Sequence, residues 1–194
     1  PGRFHYSEKL EEVETVYLGI FDRDFVIKVG AYDETHLQWA AEDQELNYRI
    51  RRAGGKILLD PRIKSTYFPR DSARALARQY HNYGMCKAST LAKHKTLPYW
   101  RPMVPALMVL LCILWIPLTV SIGFPLLSPI PFLLYFGGAS LFGLQMSKKS
   151  EVSSFDVTAA ITICHWSYGL GFWRGVFRIL TFRRFDIKPK DGRR

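Results

Sequence analysis

Residues 102–147 contain no Asp, Glu, Lys, Arg or His. That absence excludes an ordinary water-facing surface, on which about a quarter of residues carry charge. Cysteine is scarce. Cys86, Cys112 and Cys164 are odd in number and widely spaced, which excludes a disulfide framework and a paired metal motif and fits a reducing compartment. There is no internal repeat and no low-complexity linker, so repeat arrays are excluded. The chain opens at Pro1 without an initiator Met or a charged–apolar–small signal pattern, and it reads as a piece of a longer protein.

What is present divides into two halves. Hydrophobic residues make up 48% of the chain, but residues 1–101 read as part of a soluble α/β domain and the remainder as membrane-associated. The net charge is +10, which raises nucleic acid as a partner. The basic residues flank the apolar stretch, however, and pile up after it. Eight of them (Arg174, Arg178, Arg183, Arg184, Lys188, Lys190, Arg193, Arg194) face only Asp186 and Asp191. Placed beside membrane segments, such residues mark the cytoplasmic face and attract anionic lipid. Membrane lipid is therefore the expected partner, and nucleic acid is not.

Residues 103–122 are long enough to cross a hydrocarbon core of about 30 Å, with Pro117 as a kink point, and 130–147 form a shorter second span. Lys93, Lys95 and Arg101 precede the pair and Lys148 and Lys149 follow it, which puts both outer ends in the cytoplasm of a multi-pass plasma-membrane protein. A third apolar segment, 155–182, carries His165, Arg174 and Arg178. It reads either as a third span or as an interfacial helix that keeps the basic tail inside. His165 reads as a packed histidine or as a group touching a lipid diphosphate.

In the soluble half, residues 13–20 read as a strand, and 21–34 as a short helix closed near Gly30. Residues 40–53 read as a helix: Leu46 and Ile50 recur at a helical interval, Arg49 and Arg52 take the other face, and Gly54-Gly55 ends it. Residues 56–60 form a strand stopped by Pro61, and 65–70 are extended. A helix capped by Asp71 or Ser72 runs from Ala73 past Gly84 to about Lys93. Asp43 stands near the start of the 40–53 helix, where the dipole favours its ionised form. A carboxylate held there suits late proton removal from a sugar hydroxyl, by position more than basicity. Glu42-Asp43 is also an ordinary favourable acidic helix start.

Four stretches carry a resemblance. AEDQELNYRIRRAGGKILLDPRI resembles the acceptor-side motif of glycosyltransferase family 2: an acidic pair opening a helix, an arginine-bearing stretch, Gly-Gly, and a strand ending in Asp-Pro. GIFDRDFVIKVGAYDE resembles the segment before it, through Gly19, Arg23, Gly30, Asp33 and Glu34. RQYHNYGMCKA resembles the helix bearing the family's QxxRW-type motif, and HWSYGLGFWRG resembles the tail of the succinoglycan-type branch.

The resemblance implies an α/β fold of the nucleotide-diphospho-sugar transferase (GT-A-like) kind, N-terminally incomplete and followed by transmembrane helices. Residues 1–101 would be the acceptor-side part, 102–147 two membrane helices, and 148–194 the third apolar helix and basic tail. Asp43 would be the catalytic base of an inverting transfer from a nucleotide-sugar donor to a polyprenyl-diphosphate-linked saccharide, and Glu42 its partner at the acceptor. Gln79 matches the family's glutamine. Asn82 and Tyr83 stand where arginine and tryptophan occur in the cellulose-synthase form, and Arg78 or Lys87 would supply the positive charge. A Mg²⁺ or Mn²⁺ ion is implied for the full-length enzyme, with ligands mostly outside this chain, since Asp22-Arg23-Asp24 lies in the wrong segment for the family's DxD. Alone, the chain is expected to be inactive. The rival from another class is a non-catalytic membrane scaffold.

Overall fold

The computed structural model describes residues 7–16, 19–33, 42–66, 68–96, 100–149 and 151–182. Two compact units divide at Pro69/Arg70. In the first, Asp22 caps helix α1 (Arg23–Lys28) by accepting from the Phe25 amide at 2.7 Å. The helix ends where Gly30 and Ala31 take left-handed backbone conformations, at φ 94° and 52°. Helix α2 (Glu42–Arg52) follows. It stops at Gly54, φ 86°, as the Gly55 amide turns back to the Ile50 carbonyl. Strands β1 (Glu11–Glu12) and β2 (Leu58–Leu59) pair antiparallel, Glu11 opposite Leu59, and Val13 N–H extends the ladder to the Ile57 carbonyl. Val13, Leu46, Ile50 and Ile57 form the core, flanked by Phe21, Phe25 and Val26.

The expected α/β transferase fold is corrected here. Among the described residues the sheet has only two strands, and helices carry the rest of the regular structure. A doubly covered parallel sheet needs several apolar strands joined by crossover helices. Here the pairing is antiparallel and short, and Leu58 is 59% exposed. The strand expected over 13–20 does not form in its described part: the ladder that starts at β1 ends with the Val13 N–H to Ile57 carbonyl bond, and Val16 packs on the cluster of Val13, Leu46, Ile50 and Ile57. Tyr17, Leu18 and residues 40–41 lie outside the described residues, as does the basic tail from Arg183.

The second unit is helical. Ser72 caps α3 (Ala73–His94) at the Ala75 amide, and Lys95 closes it at φ 50°. Helices α4 (Met103–Ser121) and α5 (Ile130–Ser147) are joined by a 3₁₀ turn at Pro125–Leu127. Both are long and apolar enough to cross a membrane. Their apolar side chains point outward, Leu111 65% and Leu134 73% exposed, an arrangement that water penalises by about 25 cal/mol per Å² and lipid does not. The polar groups near the turn are satisfied internally. Thr119 Oγ1 reaches the Trp115 and Ile116 carbonyls and Ser128 Oγ, and Trp115 Nε1 donates to the Leu127 carbonyl at 2.9 Å, as a dry environment demands. The whole protein is therefore expected to stay in the pellet when membranes are washed with alkaline carbonate and to leave only with detergent; release by carbonate would refute insertion.

Helix α6 (Ser154–Phe182) is continuous over 29 residues, about 43 Å at 1.5 Å per residue. Its first half lies antiparallel to α5: Phe132 stacks on Trp166 at 5.8 Å, and Thr158 sits beside Ala139 and Gly143. Its second half lies along α3, where Gly84 meets the Tyr168 and Phe172 backbone and Gly171 meets that of His81. Ala88, Ala106 and Phe172 form the core of this junction, and Trp173 Nε1 donates to the Ala106 carbonyl at 2.7 Å. His165 Nδ1 lies 3.2 Å from Tyr135 Oη, a contact between α5 and α6.

Candidate active site

Helix α2 carries Glu42, Asp43 and Glu45 in its first turn and Arg49, Arg51 and Arg52 in its last, the order that the helix dipole favours at each end. Asp43 is half-buried, and its Oδ1 accepts from the Gln44 amide at 2.7 Å. Burial raises its pKa above 3.8, against the lowering from the Gln44 and Asp43 amides. The helix start alone favours the ionised form; here desolvation outweighs it. Glu42 adjoins it, and Glu42 Oε2 is buried without a hydrogen-bond partner among the described residues. Two neighbouring carboxylates thus stand at the start of α2, and Asp43 has the greater proton affinity of an aspartate partly withdrawn from water.

Two anchors hold this edge. Asn47 Nδ2 donates to Thr15 Oγ1 at 2.7 Å. On the other side Arg49 Nε lies 2.9 Å from both oxygens of Glu45, whose carboxylate is fully buried, and its two terminal nitrogens donate to the Val29 and Ala31 carbonyls. The helical interval places Arg49 on the face away from Leu46 and Ile50, where solvent is the default expectation. The i,i+4 spacing of Glu45 and Arg49 is the sequence signal for the pair, but its burial and the carbonyl grip depend on the α1 turn. Asp60, closing the strand before Pro61, is held by Arg62 at 2.6 Å, which pulls its carboxyl down to about 2. That side chain stabilises a turn.

Arg78, Gln79, Asn82 and Tyr83 all fall within one arc of α3, away from the Gly84–Ala88 stripe that meets α6. Gln79 Nε2 donates to Tyr83 Oη at 2.8 Å, and the Tyr80 and Tyr83 rings meet edge to face at 5.7 Å. Arg78 and Tyr83 are exposed and Gln79 and Asn82 half-buried. The neighbouring His81 has its pKa lowered by burial and by the charge of Arg174. The structure thus gathers the acidic pair in the first unit and the glutamine–tyrosine face in the second.

A chain segment of 158 residues is 28% identical to the succinoglycan biosynthesis protein ExoA of Rhizobium meliloti (strain 1021). It covers 80% of this chain and 45% of that protein, so the chain spans about half the length of its relative. No family model matches the chain. No solved structure matches it. The similarity supports the exopolysaccharide branch that the sequence motifs resemble.

The described residues do not fit a divalent cation. No three His, Cys, Asp or Glu side chains come together among them. Asp22 of the Asp-Arg-Asp triplet is the α1 cap, and Asp24 faces solvent beside Arg23 at 3.8 Å.

Proposed function

We propose that the chain is part of a membrane-bound glycosyltransferase of exopolysaccharide synthesis, moving a sugar from a nucleotide-sugar donor to a lipid-linked saccharide at the cytoplasmic face of the plasma membrane. The observation that carries this reading is Asp43, a half-buried carboxylate at the first turn of α2 with its pKa raised by burial. The similarity to a succinoglycan biosynthesis protein and the two apolar helices support it.

In this reading the acceptor hydroxyl oxygen bonds to the anomeric carbon from the face opposite the nucleotide. The bond from that carbon to the donor diphosphate breaks, its electron pair leaves with the nucleotide, and Asp43 takes the hydroxyl proton. The anomeric configuration inverts. A carboxylate whose pKa is raised by burial is a stronger base than an exposed one. Glu42 stands beside Asp43 as its partner on the acceptor side. On α3, in the second unit, Arg78, Gln79, Asn82 and Tyr83 are the residues that the family resemblance assigns to the acceptor side. No described residue is assigned to the divalent cation of the whole enzyme, and no step here runs through it. The acceptor class is polyprenyl-diphosphate-linked, because membrane helices hold the chain at the bilayer, where such a carrier resides.

Membranes containing the whole protein are the material for the test, incubated with radiolabelled UDP-glucose, UDP-galactose or GDP-mannose. Label from one donor is expected in an organic-extractable fraction that mild acid releases as saccharide. A donor consumed with label only in water-soluble products would refute the lipid-linked acceptor.

A further inference from the structure

We infer that Arg49 is a positioning residue for Asp43, acting through its combined grip on Glu45 and on the Val29 and Ala31 carbonyls; this rests on the reading of Asp43 as the base. Leu46 and Ile50 bury the core side of α2. Apolar packing alone sets the depth of a helix better than its roll about its own axis. With side chains reaching about 5 Å from the axis, a roll of about 20° would carry a carboxylate about 2 Å. A misplacement of about 1 Å already costs about a hundredfold in rate. The roll is blocked on two sides. Asn47, one turn beyond Asp43 on the same stripe, is tied to Thr15. Glu45 and Arg49 occupy the stripe nearly opposite and are tied to the α1 turn.

The chemistry of the grip requires arginine. One planar fork serves both Glu45 oxygens and two carbonyls at once, which a lysine ammonium on a single atom does not span. Those carbonyls belong to the left-handed turn, where Gly30 has φ 94° and lies against the guanidinium: a Cβ there would sit 3.4 Å from Arg49 Nη1. Glu45 is 1% exposed and Arg49's side chain 17%. The pair is thus far drier than a surface i,i+4 pair, and half-removing it would leave a buried charge.

The test uses the whole protein in membranes, with the labelled nucleotide sugars named above, and compares Arg49→Lys and Glu45→Gln with Asp43→Asn. Both positioning variants are expected to lower kcat about 10- to 100-fold with KM for the donor within about twofold. Amide hydrogen exchange of the purified protein in detergent needs no substrate. It is expected to quicken at least tenfold over residues 43–47 and 29–31, and to stay unchanged over 57–59 and 85–90. Exchange at wild-type rates in both variants overturns the inference whichever donor is used. So does wild-type kcat when Asp43→Asn is dead, an outcome that leaves the reading of Asp43 standing. Collapse of 57–59 protection in both variants also overturns it, since the pair would then hold the core and not the carboxylate. An active Asp43→Asn enzyme instead removes the base reading, on which the inference depends.

Discussion

Asp43→Asn in the whole protein is expected to lower sugar transfer about 10³-fold, within the range of about 10²–10⁴ that a positioned general base contributes, while leaving the fold intact. Asparagine keeps the size and the oxygen that accepts from the Gln44 amide, but it takes no proton. Stability should move the other way. Asp43 has a folded pKa above its unfolded 3.8, caused first by burial. The folded state therefore holds the proton more tightly, and the stabilisation from the neutral carboxyl is complete below pH 3.8. It is lost as pH rises from 3.8 through the folded pKa, and above that window the ionised group bears its burial cost. At neutral pH the asparagine variant should melt at the same temperature as wild type or higher. In the wild type, the acid limb of kcat should lie above the ordinary aspartate range. Transfer assays and thermal melts between pH 4 and 8 measure both. Undiminished transfer by the variant would mean that the base is another group, or that the chain serves as a scaffold.

Gly84→Val and Gly171→Val are expected to destabilise the second unit by about 3 kcal/mol or more, at or beyond the upper end of ordinary overpacking. At Gly84 a Cβ would overlap the Tyr168 carbonyl oxygen and lie 2.7 Å from the Phe172 amide nitrogen; at Gly171 it would overlap the His81 carbonyl oxygen. The opposing atoms are backbone, so no rotamer change relieves the clash, and α3 and α6 must separate. That separation would uncover Phe172 and Ala88. Gly137 and Gly138 in α5 give the contrast, since a Cβ at either meets nothing within 4 Å. Alanine there should be neutral or slightly stabilising, by up to about 1 kcal/mol. Thermal melting in detergent and protease resistance of the 70–182 region report the difference. Equal melting of the Gly84 and Gly137 variants would refute the close α3–α6 packing.

The elements were legible to different degrees, for local reasons. The two long apolar helices were readable because an uncharged run of that length leaves few other local choices. Helix α2 was readable from Leu46, Ile50 and Gly54-Gly55, and α3 from its Asp71-Ser72 start and its helical spacing, because these signals lie within one or two turns. The sheet was not. A β-rich stretch becomes a strand only where another strand is there to pair with, and beyond the Val13–Ile57 bond the described chain has none to meet. Composition and spacing singled out Asp43 and Glu42 as an acidic helix start, and family resemblance suggested their chemistry. The raised proton affinity of Asp43 was not readable, because it depends on what covers the side chain.

Local order in the chain determined by itself the uncharged apolar helices, the basic flanks, the helix ends and the acidic start of α2, since each arises from neighbours a few residues apart. Tertiary structure decided the rest. It chose a two-stranded antiparallel pair where an α/β sheet was expected, set Arg49 across to the Val29–Ala31 turn, and laid α6 against α5 and then α3. The reason is one of distance: burial, pairing and close glycine contact join residues up to 90 positions apart, and no local pattern specifies which of many such partners will meet.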